Sequence, residues 1–267
     1  MTQAIIAGMV ANKYPVNKII ASNPSASKLE QLQTAFAIQT THDNNQAIAQ
    51  AEVVVLAVKP QLMATVCQQF DKTNGFYEKL FISIAAGINS QRLQAMLQAT
   101  GAVSTTNSLA LIRTMPNTPS AIGKGLTGLY SDNANEQQRQ FAESLFNMVG
   151  KTVWAKTEAD IDAVIAAAGS SPAYFFLMLE AMQEKTQALG FDRDAARLMV
   201  QQAMLGAAEM VCNNPELELS ELRAQVTSKG GTTAQAIAHF QEQQFAQIVA
   251  DAMQAAVNRA QQMSNSF

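Results

Sequence analysis

Cysteine and histidine are scarce in this sequence, and their scarcity excludes several kinds of site. Cys67 and Cys212 are the only cysteines in 267 residues, too few for a disulfide framework or a four-thiolate metal centre. We therefore expect two plain buried thiols and a reducing, cytoplasmic compartment. His42 and His239 have no neighbouring pattern for nucleophilic or metal chemistry, and we expect them at the surface or in satisfied hydrogen bonds.

Several other features are also missing. The motifs HExxH, GxSxG, CxxC and the P-loop do not occur. The N-terminal residues lack the basic and long apolar regions of a secretory signal, and no segment has the roughly 20 uninterrupted apolar residues of a membrane span. The net charge of -3 and a pI near 5.5 give no electrostatic reason to bind nucleic acid or an anionic membrane. We expect neither partner.

The sequence has enough apolar residues for two packed domains, and its pattern changes near Trp154. Hydrophobic residues make up 48% of the chain. Before Trp154, polar helical segments alternate with apolar runs that predict strands at 18–21, 52–58, 81–84, 111–114, 127–130 and 151–154. The β-branched run at 52–58 predicts a strand covered on both faces. Strands separated by helices predict a parallel sheet with helices on both faces.

Beyond Trp154 the periodicity is helical. Pro172 is placed to open a helix through Leu189, and Asp192 is placed to cap the next helix. The last helix carries an apolar stripe that needs a partner surface, formed by Phe245, Ile248, Val249, Ala252, Met253, Ala256 and Val257. We predict an α/β fold, with a Rossmann-type doubly wound sheet in residues 1–156 and an all-α domain in residues 157–267 that forms a subunit interface.

Ligands of an open parallel sheet bind beyond the carboxyl ends of its strands, which here are 22–25, 57–60, 84–87 and 115–119. A dinucleotide fold often has an acidic residue after its second strand to bind the ribose 2′-hydroxyl. This chain has Ser22, Asn23 and Ser25 there, with no acid before Glu30. Neutral donors tolerate a 2′-phosphate and so favour NADPH over NADH; the alternative is an ordinary strand-ending turn.

The most distinctive local motif is Ser228-Lys229-Gly230-Gly231-Thr232-Thr233, which precedes a helix. Glycines and threonines at a helix start expose N–H groups and hydroxyls that suit a carboxylate or phosphate. The alternative is a plain turn in which Thr232 caps the helix. Two further segments, a second helix start and a rigid turn, are Gly169-Ser170-Ser171-Pro172-Ala173-Tyr174 and Met115-Pro116-Asn117-Thr118-Pro119.

Together these segments resemble the pyrroline-5-carboxylate reductases over essentially the whole chain. The resemblance rests on the order and spacing of six motifs, at 4–8, 57–61, 83–87, 115–119, 169–174 and 230–233. It implies reduction of 1-pyrroline-5-carboxylate to L-proline by NAD(P)H, the last step of proline biosynthesis. It also implies an intertwined homodimer, often assembled into larger rings, whose site combines one subunit's nucleotide domain with the helices of its partner.

The resemblance further implies which residues form the site. The loop of Ser228, Gly230, Gly231 and Thr232 would hold the substrate carboxylate, and Thr233 would bond the ring nitrogen and act in catalysis. NADPH, or NADH, would supply the hydride, without a metal. The cofactor of the family lies along the following residues, to which we add Ser22: Asn23, Asn44, Ala57, Val58, Lys59, Pro60, Ile84, Ala85 and Ala86.

Two positions depart from the family pattern. Lys229 replaces a usual proline, and its charge either strengthens anion binding or points to solvent. The family opens with a strand and a G-x-G-N-M loop, whereas Met1 falls at that loop's methionine, so about ten residues are expected to be missing. Either an internal methionine has been taken as the start, which we favour, or the chain starts here and is inactive or differently employed.

Two other functions fit parts of this sequence. A 3-hydroxyacid dehydrogenase also joins a dinucleotide domain to helices, but it needs a catalytic lysine on the helix after a Gly-rich turn. No lysine follows Gly169 before Lys185. The alternative from another class is a non-catalytic oligomeric binding or scaffold protein derived from the family, which the absence of the dinucleotide loop would permit.

Overall fold

A computed structural model describes residues 1–73, 76–98 and 109–266 of the chain, with side chains through residue 264. The described residues form two compact units. Unit 1 comprises Met1–Ser170 and the segment that begins at Ala256, and unit 2 comprises Ser171–Ala255. The domain boundary predicted at residues 156 and 157 stays a prediction.

Unit 1 is an α/β fold, as the sequence predicts. Its strands are β1 Ile20–Ser22, β2 Gln39–Thr41, β3 Val53–Leu56, β4 Leu80–Ser83, β5 Leu111–Met115, β6 Gly125–Tyr130 and β7 Gly150–Trp154. Its helices are α1 Thr2–Ala11, α2 Ala26–Phe36, α3 Asn44–Gln50, α4 Pro60–Gln68, α5 Ser90–Gln98, α6 Glu136–Asn147 and α7 Asp160–Val164. Six of these seven strands overlap the predicted runs. The exception is β2, which is polar and lacks an apolar run.

The strands pair in the order β3-β4-β5-β6-β7, with a separate pair β1-β2. All these pairs are parallel except β5 with β6, for which the prediction of a parallel sheet is wrong. The physical reason is the short connection between them, residues 116–124, which contains no crossover helix. Parallel neighbours need a crossover of about a dozen or more residues.

The core of unit 1 lies on both faces of β4, whose four residues are all buried. Successive side chains of a strand point to opposite faces of the sheet. Phe81 therefore packs with Met63 of α4 and Leu93 of α5, whereas Ile82 packs on the other face with Phe146 of α6. A sheet covered by helices on both faces is the Rossmann-type arrangement that the sequence predicts.

Among the described residues no strand joins β1 to β3, so the sheet lies in two pieces. Helix α1 packs against both pieces, since Ile6 clusters with Ile19 next to β1 and Ile5 clusters with Ile82 of β4. The strand predicted at 52–58 is not fully covered, because Val55 of β3 is 37% exposed.

Unit 2 is helical, which confirms the helical structure predicted beyond Trp154. Its helices are α8 Ser171–Ala188, α9 Arg193–Asn213, α10 Leu219–Gln225, α11 Thr232–Glu242 and α12 Phe245–Ser266, the last of which continues into unit 1. Pro172 lies in the first turn of α8, as predicted. Asp192 caps α9, as predicted, because its Oδ1 accepts a hydrogen bond from the N–H of Ala195 at 2.8 Å.

The two cysteines differ in exposure. Cys67 is fully buried as expected, but Cys212 is exposed on α9, so the expectation of two buried thiols is wrong for this residue.

The helical run Asp160–Ala188 is long and apolar enough, by length and composition alone, to cross a membrane; its mean hydropathy is 1.4 over 18 residues. This run contains Gly169, Ser170 and Ser171, so its apolar residues are interrupted.

Candidate active site

The carboxyl end of β1 brings three of the predicted cofactor residues together. The hydroxyl of Ser22 donates to Asn44 Oδ1 at 2.8 Å, and the side-chain oxygen of Asn23 accepts from the N–H of Ser25 at 2.9 Å. All four side chains are half-buried. Residues 22–29 contain no carboxylate, so the neutral hydrogen-bonding groups here fit a phosphorylated ribose.

The carboxyl end of β3 leads directly into α4. Lys59 is the N-cap of this helix and makes no side-chain capping bond, and Pro60 occupies the first turn, where its missing N–H costs nothing. Val58 is half-buried and packs against the core, whereas Ala57 and Lys59 are exposed. The segment 57–60 therefore presents backbone and one positive charge at this edge of the sheet.

The carboxyl end of β4 is fixed by hydrogen bonds to both neighbouring strands, β3 and β5. The N–H of Ile84 donates to Leu56 at the end of β3, at 3.1 Å, and the N–H of Ala85 donates to Ser83 Oγ at 3.3 Å. The carbonyl of Ser83 accepts from the Thr114 hydroxyl at 3.0 Å. Ala85 is buried and Ala86 is half-buried. The predicted residues Ile84, Ala85 and Ala86 thus begin a fixed turn.

Sequence reasoning missed a cluster of polar side chains where that turn enters α5. Glu158 Oε1 accepts three hydrogen bonds, from Ser90 N at 2.6 Å, Ser90 Oγ at 2.9 Å and Arg113 Nη1 at 3.0 Å. Ser90 and Arg113 are each only 4% exposed. The signal that could have indicated it is an arginine in the middle of the apolar strand Leu111–Met115, since a buried charge needs a partner.

The glycine and threonine loop forms a tight turn in unit 2. Gly230 adopts a positive φ of 74°, which glycine accepts without strain, and the N–H of Gly231 donates to the Ser228 carbonyl at 3.0 Å. A Cβ on Gly231 would lie 2.5 Å from Ser228 Oγ, so the Ser228 side chain would have to rotate away to admit it. The turn therefore favours glycine most strongly at position 230.

The start of α11 is open to a ligand. Its N-cap is Gly231, which has no side chain to cap the helix, so the alternative in which Thr232 is the cap is wrong. Thr232 and Thr233 are exposed in the first turn, where backbone N–H groups have no partner within the helix. Ser228 and Lys229 are also exposed, which favours the interpretation that Lys229 points to solvent.

The histidines and the acidic residues do not form a second site. His42 is exposed, with its Nδ1 3.0 Å from the carbonyl oxygen of Asn23, and His239 is exposed 4.0 Å from Glu242. Both agree with the expectation of surface or satisfied residues. Within the described ranges, no group of three His, Cys, Asp or Glu side chains could hold a metal. The predicted cofactor residues thus lie in unit 1 and the predicted substrate residues in unit 2.

Two family models match the chain. Residues 1–87 match the family described as NADP oxidoreductase coenzyme F420-dependent, which covers β1, β3 and β4 with the turns that follow them. Residues 158–263 match the family described as pyrroline-5-carboxylate reductase dimerisation, which covers the helices and the glycine and threonine loop. The two matches fall on the two groups of site residues.

Individual relatives match over nearly their whole length. Pyrroline-5-carboxylate reductase of Vibrio alginolyticus is 53% identical over 100% of this chain and 95% of its own, and that of Haemophilus influenzae is 46% identical with the same coverage. The solved pyrroline-5-carboxylate reductase of Coxiella burnetii superposes with a TM-score of 0.90 at 36% identity, covering 98% of this chain and 94% of its own. The non-catalytic alternative finds no support in these matches. The chain belongs to the pyrroline-5-carboxylate reductase family.

Proposed function

We propose that the chain reduces 1-pyrroline-5-carboxylate to L-proline with NADPH, in the last step of proline biosynthesis. The observation that carries this proposal is the 53% identity to a pyrroline-5-carboxylate reductase over the full length of this chain. The similarity includes both the strand ends of unit 1 and the glycine and threonine loop of unit 2. A single matched domain would support only a cofactor or only an interface.

The substrate carboxylate binds at the start of α11. Backbone N–H groups of a helix start and the positive end of the helix dipole attract an anion. The Gly230-Gly231 turn lets the anion approach the backbone closely, because neither residue has a side chain in the way. The exposed hydroxyls of Ser228 and Thr232 add donors on either side of that turn.

Thr233 orients the ring nitrogen of the bound imine. A cyclic imine accepts hydride most readily when its nitrogen is protonated, and solvent supplies that proton before binding. The hydroxyl oxygen of Thr233 then accepts a hydrogen bond from the ring N–H. NADPH bound here would supply the hydride to the imine carbon, and the nitrogen would keep its proton, so the product would be a secondary amine. The protein contributes orientation and electrostatics.

The cofactor binds along the strand ends of unit 1. Ser22, Asn23 and Asn44 surround the ribose end with neutral donors and acceptors, which suits NADPH better than NADH because residues 22–29 contain no carboxylate to repel a 2′-phosphate. The backbone of 57–60 and of 84–86 borders the remainder of the dinucleotide. The match of residues 1–87 to an NADP oxidoreductase family supports this assignment.

Replacing Thr233 tests the role of the loop. We expect Thr233→Ala to lower kcat/KM for 1-pyrroline-5-carboxylate by about 10- to 100-fold, since a hydrogen bond to a charged group is lost. The measurement is NADPH oxidation at 340 nm, together with the dissociation constant of NADPH, which should not change. Thr233→Ser should restore most of the activity.

Thr227→Ala is the matched control. The Thr227 hydroxyl donates its proton to the Arg223 carbonyl, four residues earlier in the chain, at 2.6 Å, and no role in the site is assigned to it, so kcat/KM should stay within about twofold. Unchanged turnover and substrate affinity in Thr233→Ala would contradict the assigned role of Thr233.

The chain acts as a homodimer, with larger rings as a further level of assembly. The match of residues 158–263 to a dimerisation family supports an oligomer, and the apolar run Asp160–Ala188 lies entirely within that match. We assign the run to the subunit interface and not to a membrane. We place the domain boundary between residues 156 and 157, next to the start of the dimerisation match at residue 158. The enzyme works in the cytoplasm, without nucleic acid, in keeping with its net charge of -3.

A further inference from the structure

The turn between β4 and α5 is anchored at two ends. Its first residues are held by β3 and by Ser83, and its last buried residue, Ile88, is fully enclosed. At its far end Ser90 begins α5, and both the N–H and the hydroxyl of Ser90 donate to one oxygen of Glu158. The position of residues 84–89 therefore depends on where Glu158 lies.

Glu158 is itself fixed by a buried charge. Arg113 lies in the centre of β5, opposite Ser83 of β4 in the parallel register, and its Nη1 donates to Glu158 Oε1 at 3.0 Å. The guanidinium is enclosed in the sheet, so it cannot turn to water for another partner. A charge-assisted hydrogen bond is stronger than a neutral one and has a more definite geometry. Arg113 thus fixes the position of the Glu158 side chain, and Glu158 fixes the position of Ser90.

We propose that Glu158 is a positioning residue for the cofactor, which through Ser90 holds the turn 84–89 in the conformation that receives NADPH. Glu158 does not contact the cofactor itself. This proposal rests on the proposed function, because residues 84–86 are assigned there to cofactor binding. It also gives a role to the contact of Arg113 with Glu158, which lies just beyond the last strand and 45 residues later in the chain.

The test is the variant Glu158→Gln, studied in the full chain. Its amide oxygen still accepts from Ser90, but the side chain is neutral, so the ion pair with Arg113 is lost and the hydrogen bonds to residue 158 are weaker. We expect the dissociation constant and the KM for NADPH to rise about tenfold, roughly the difference between a hydrogen bond to an ionised acceptor and one to a neutral acceptor. The KM for 1-pyrroline-5-carboxylate at saturating NADPH should change less than about twofold.

Ser90→Ala gives a second variant that leaves both charges in place. It removes the hydroxyl bond and keeps the N–H bond, so we expect about a threefold rise in the KM for NADPH. In the double variant the rise should be smaller than the product of the two single rises, because both substitutions weaken the same contact between Ser90 and residue 158. Additive effects would overturn the proposed order of contacts.

Glu143→Gln is the control, since this half-buried carboxylate also lies in unit 1 but accepts from Trp154 Nε1, at 3.2 Å, and does not touch the turn. Its NADPH affinity should equal that of the wild type. A lowered Tm in Glu158→Gln with unchanged NADPH affinity, or an equal rise in both KM values, would show a merely structural role and overturn the proposal.

Direct titration of NADPH by calorimetry separates this proposal from the proposed function. A wild-type chain that binds NADPH but does not oxidise it with 1-pyrroline-5-carboxylate contradicts the proposed function alone. A wild-type chain that turns over normally, beside a Glu158→Gln variant with normal NADPH affinity, contradicts the positioning role alone. A wild type that binds no NADPH contradicts both.

Discussion

Asp160 and Asp162, two residues apart in α7, lie in opposite electrostatic environments. The N–H of Thr157 donates to Asp160 Oδ2 at 2.8 Å, and the hydrogen bonds from Thr157 lower the pKa of Asp160. Burial raises the pKa of Asp162; the neighbouring charge of Arg113 lowers this pKa and that of Glu158 raises it. The folded chain therefore favours the charged form of Asp160 and disfavours the charged form of Asp162.

The raised pKa of Asp162 predicts a stability change with pH. Because the folded pKa lies above the unfolded value, the charged side chain destabilises the fold above the folded pKa, and the cost is absent below about pH 4. We expect Asp162→Asn to raise the Tm at pH 7.5 by up to about 2 °C, since solvent screens this partly exposed group. The gain should vanish toward pH 4 in thermal scans.

Asp160→Asn provides the control with the opposite sign. The pKa of Asp160 is lowered, so its charge stabilises the fold above the unfolded pKa, and this stabilisation is lost as the pH falls through the folded value. Asp160→Asn should therefore lower the Tm at pH 7.5. Changes of the same sign in both variants would contradict the environments assigned to these carboxylates.

The residues at strand ends could be named from the sequence, whereas the cluster at Glu158 could not. Strand ends are marked by the change from apolar to polar residues, which is visible at Ser22 and Lys59. The contact of Arg113 with Glu158 joins positions 45 residues apart, and Glu158 lies in a polar stretch with no periodicity. Such a contact follows only from the sheet register, which local pattern does not determine.

At the scale of elements, one side chain holds an irregular turn of helix between α7 and α8. Residues Ile165–Gly169 form a π-helical turn, closed by a hydrogen bond from Ser170 N to Ile165 O at 2.8 Å. Asn117 Nδ2 donates to the carbonyl of Ala168 at 3.0 Å, and Asn117 Oδ1 accepts from Leu126 N at 2.9 Å. The rigid Met115–Pro119 turn thus supplies a buried link from β6 to the helices.

Removing this link should destabilise unit 1. We expect Asn117→Ala to cost about 2–3 kcal/mol, because two hydrogen bonds are lost at partly buried backbone partners, and to lower the Tm by about 5–10 °C. Thermal unfolding followed by circular dichroism measures the change. Asn147→Ala is the control, since exposed Asn147 bonds only the Thr152 hydroxyl among the described residues, and its Tm should stay within about 2 °C. Equal losses would contradict the assigned link.

The elements that the sequence predicted are those with apolar periodicity. β4 and β5 are buried and continuous, so their residues stand out, whereas β2 is a short polar edge strand held by pairing with β1. The antiparallel pairing of β5 with β6 also escaped prediction. It depends on whether residues 116–124 form a helix, and their two prolines and glycine favour a 3-10 turn instead.

At the scale of the whole molecule, the helices of unit 2 expose more large apolar side chains than a lone chain would tolerate in water. Each of α8–α12 contributes, with Phe176, Leu198, Leu219, Phe240 and Ile248 as examples. Apolar surface of this extent marks a protein–protein interface, because burying it stabilises an assembly by about 25 cal/mol per Å². The apolar stripe predicted on α12 from Phe245 onward belongs to this surface.

A charge placed on this surface should break the proposed homodimer. We expect the wild type to elute at twice 28.7 kDa, or a higher even multiple, in size-exclusion chromatography with light scattering. Ile248→Asp, at a side chain 58% exposed in the single chain, should shift the mass toward 28.7 kDa on dilution, because a buried carboxylate would lack a partner. Ile122→Asp, at an exposed isoleucine of unit 1, should leave the mass unchanged. A wild type that runs as a monomer would refute the proposed assembly, and an intact Ile248→Asp dimer would remove α12 from its interface.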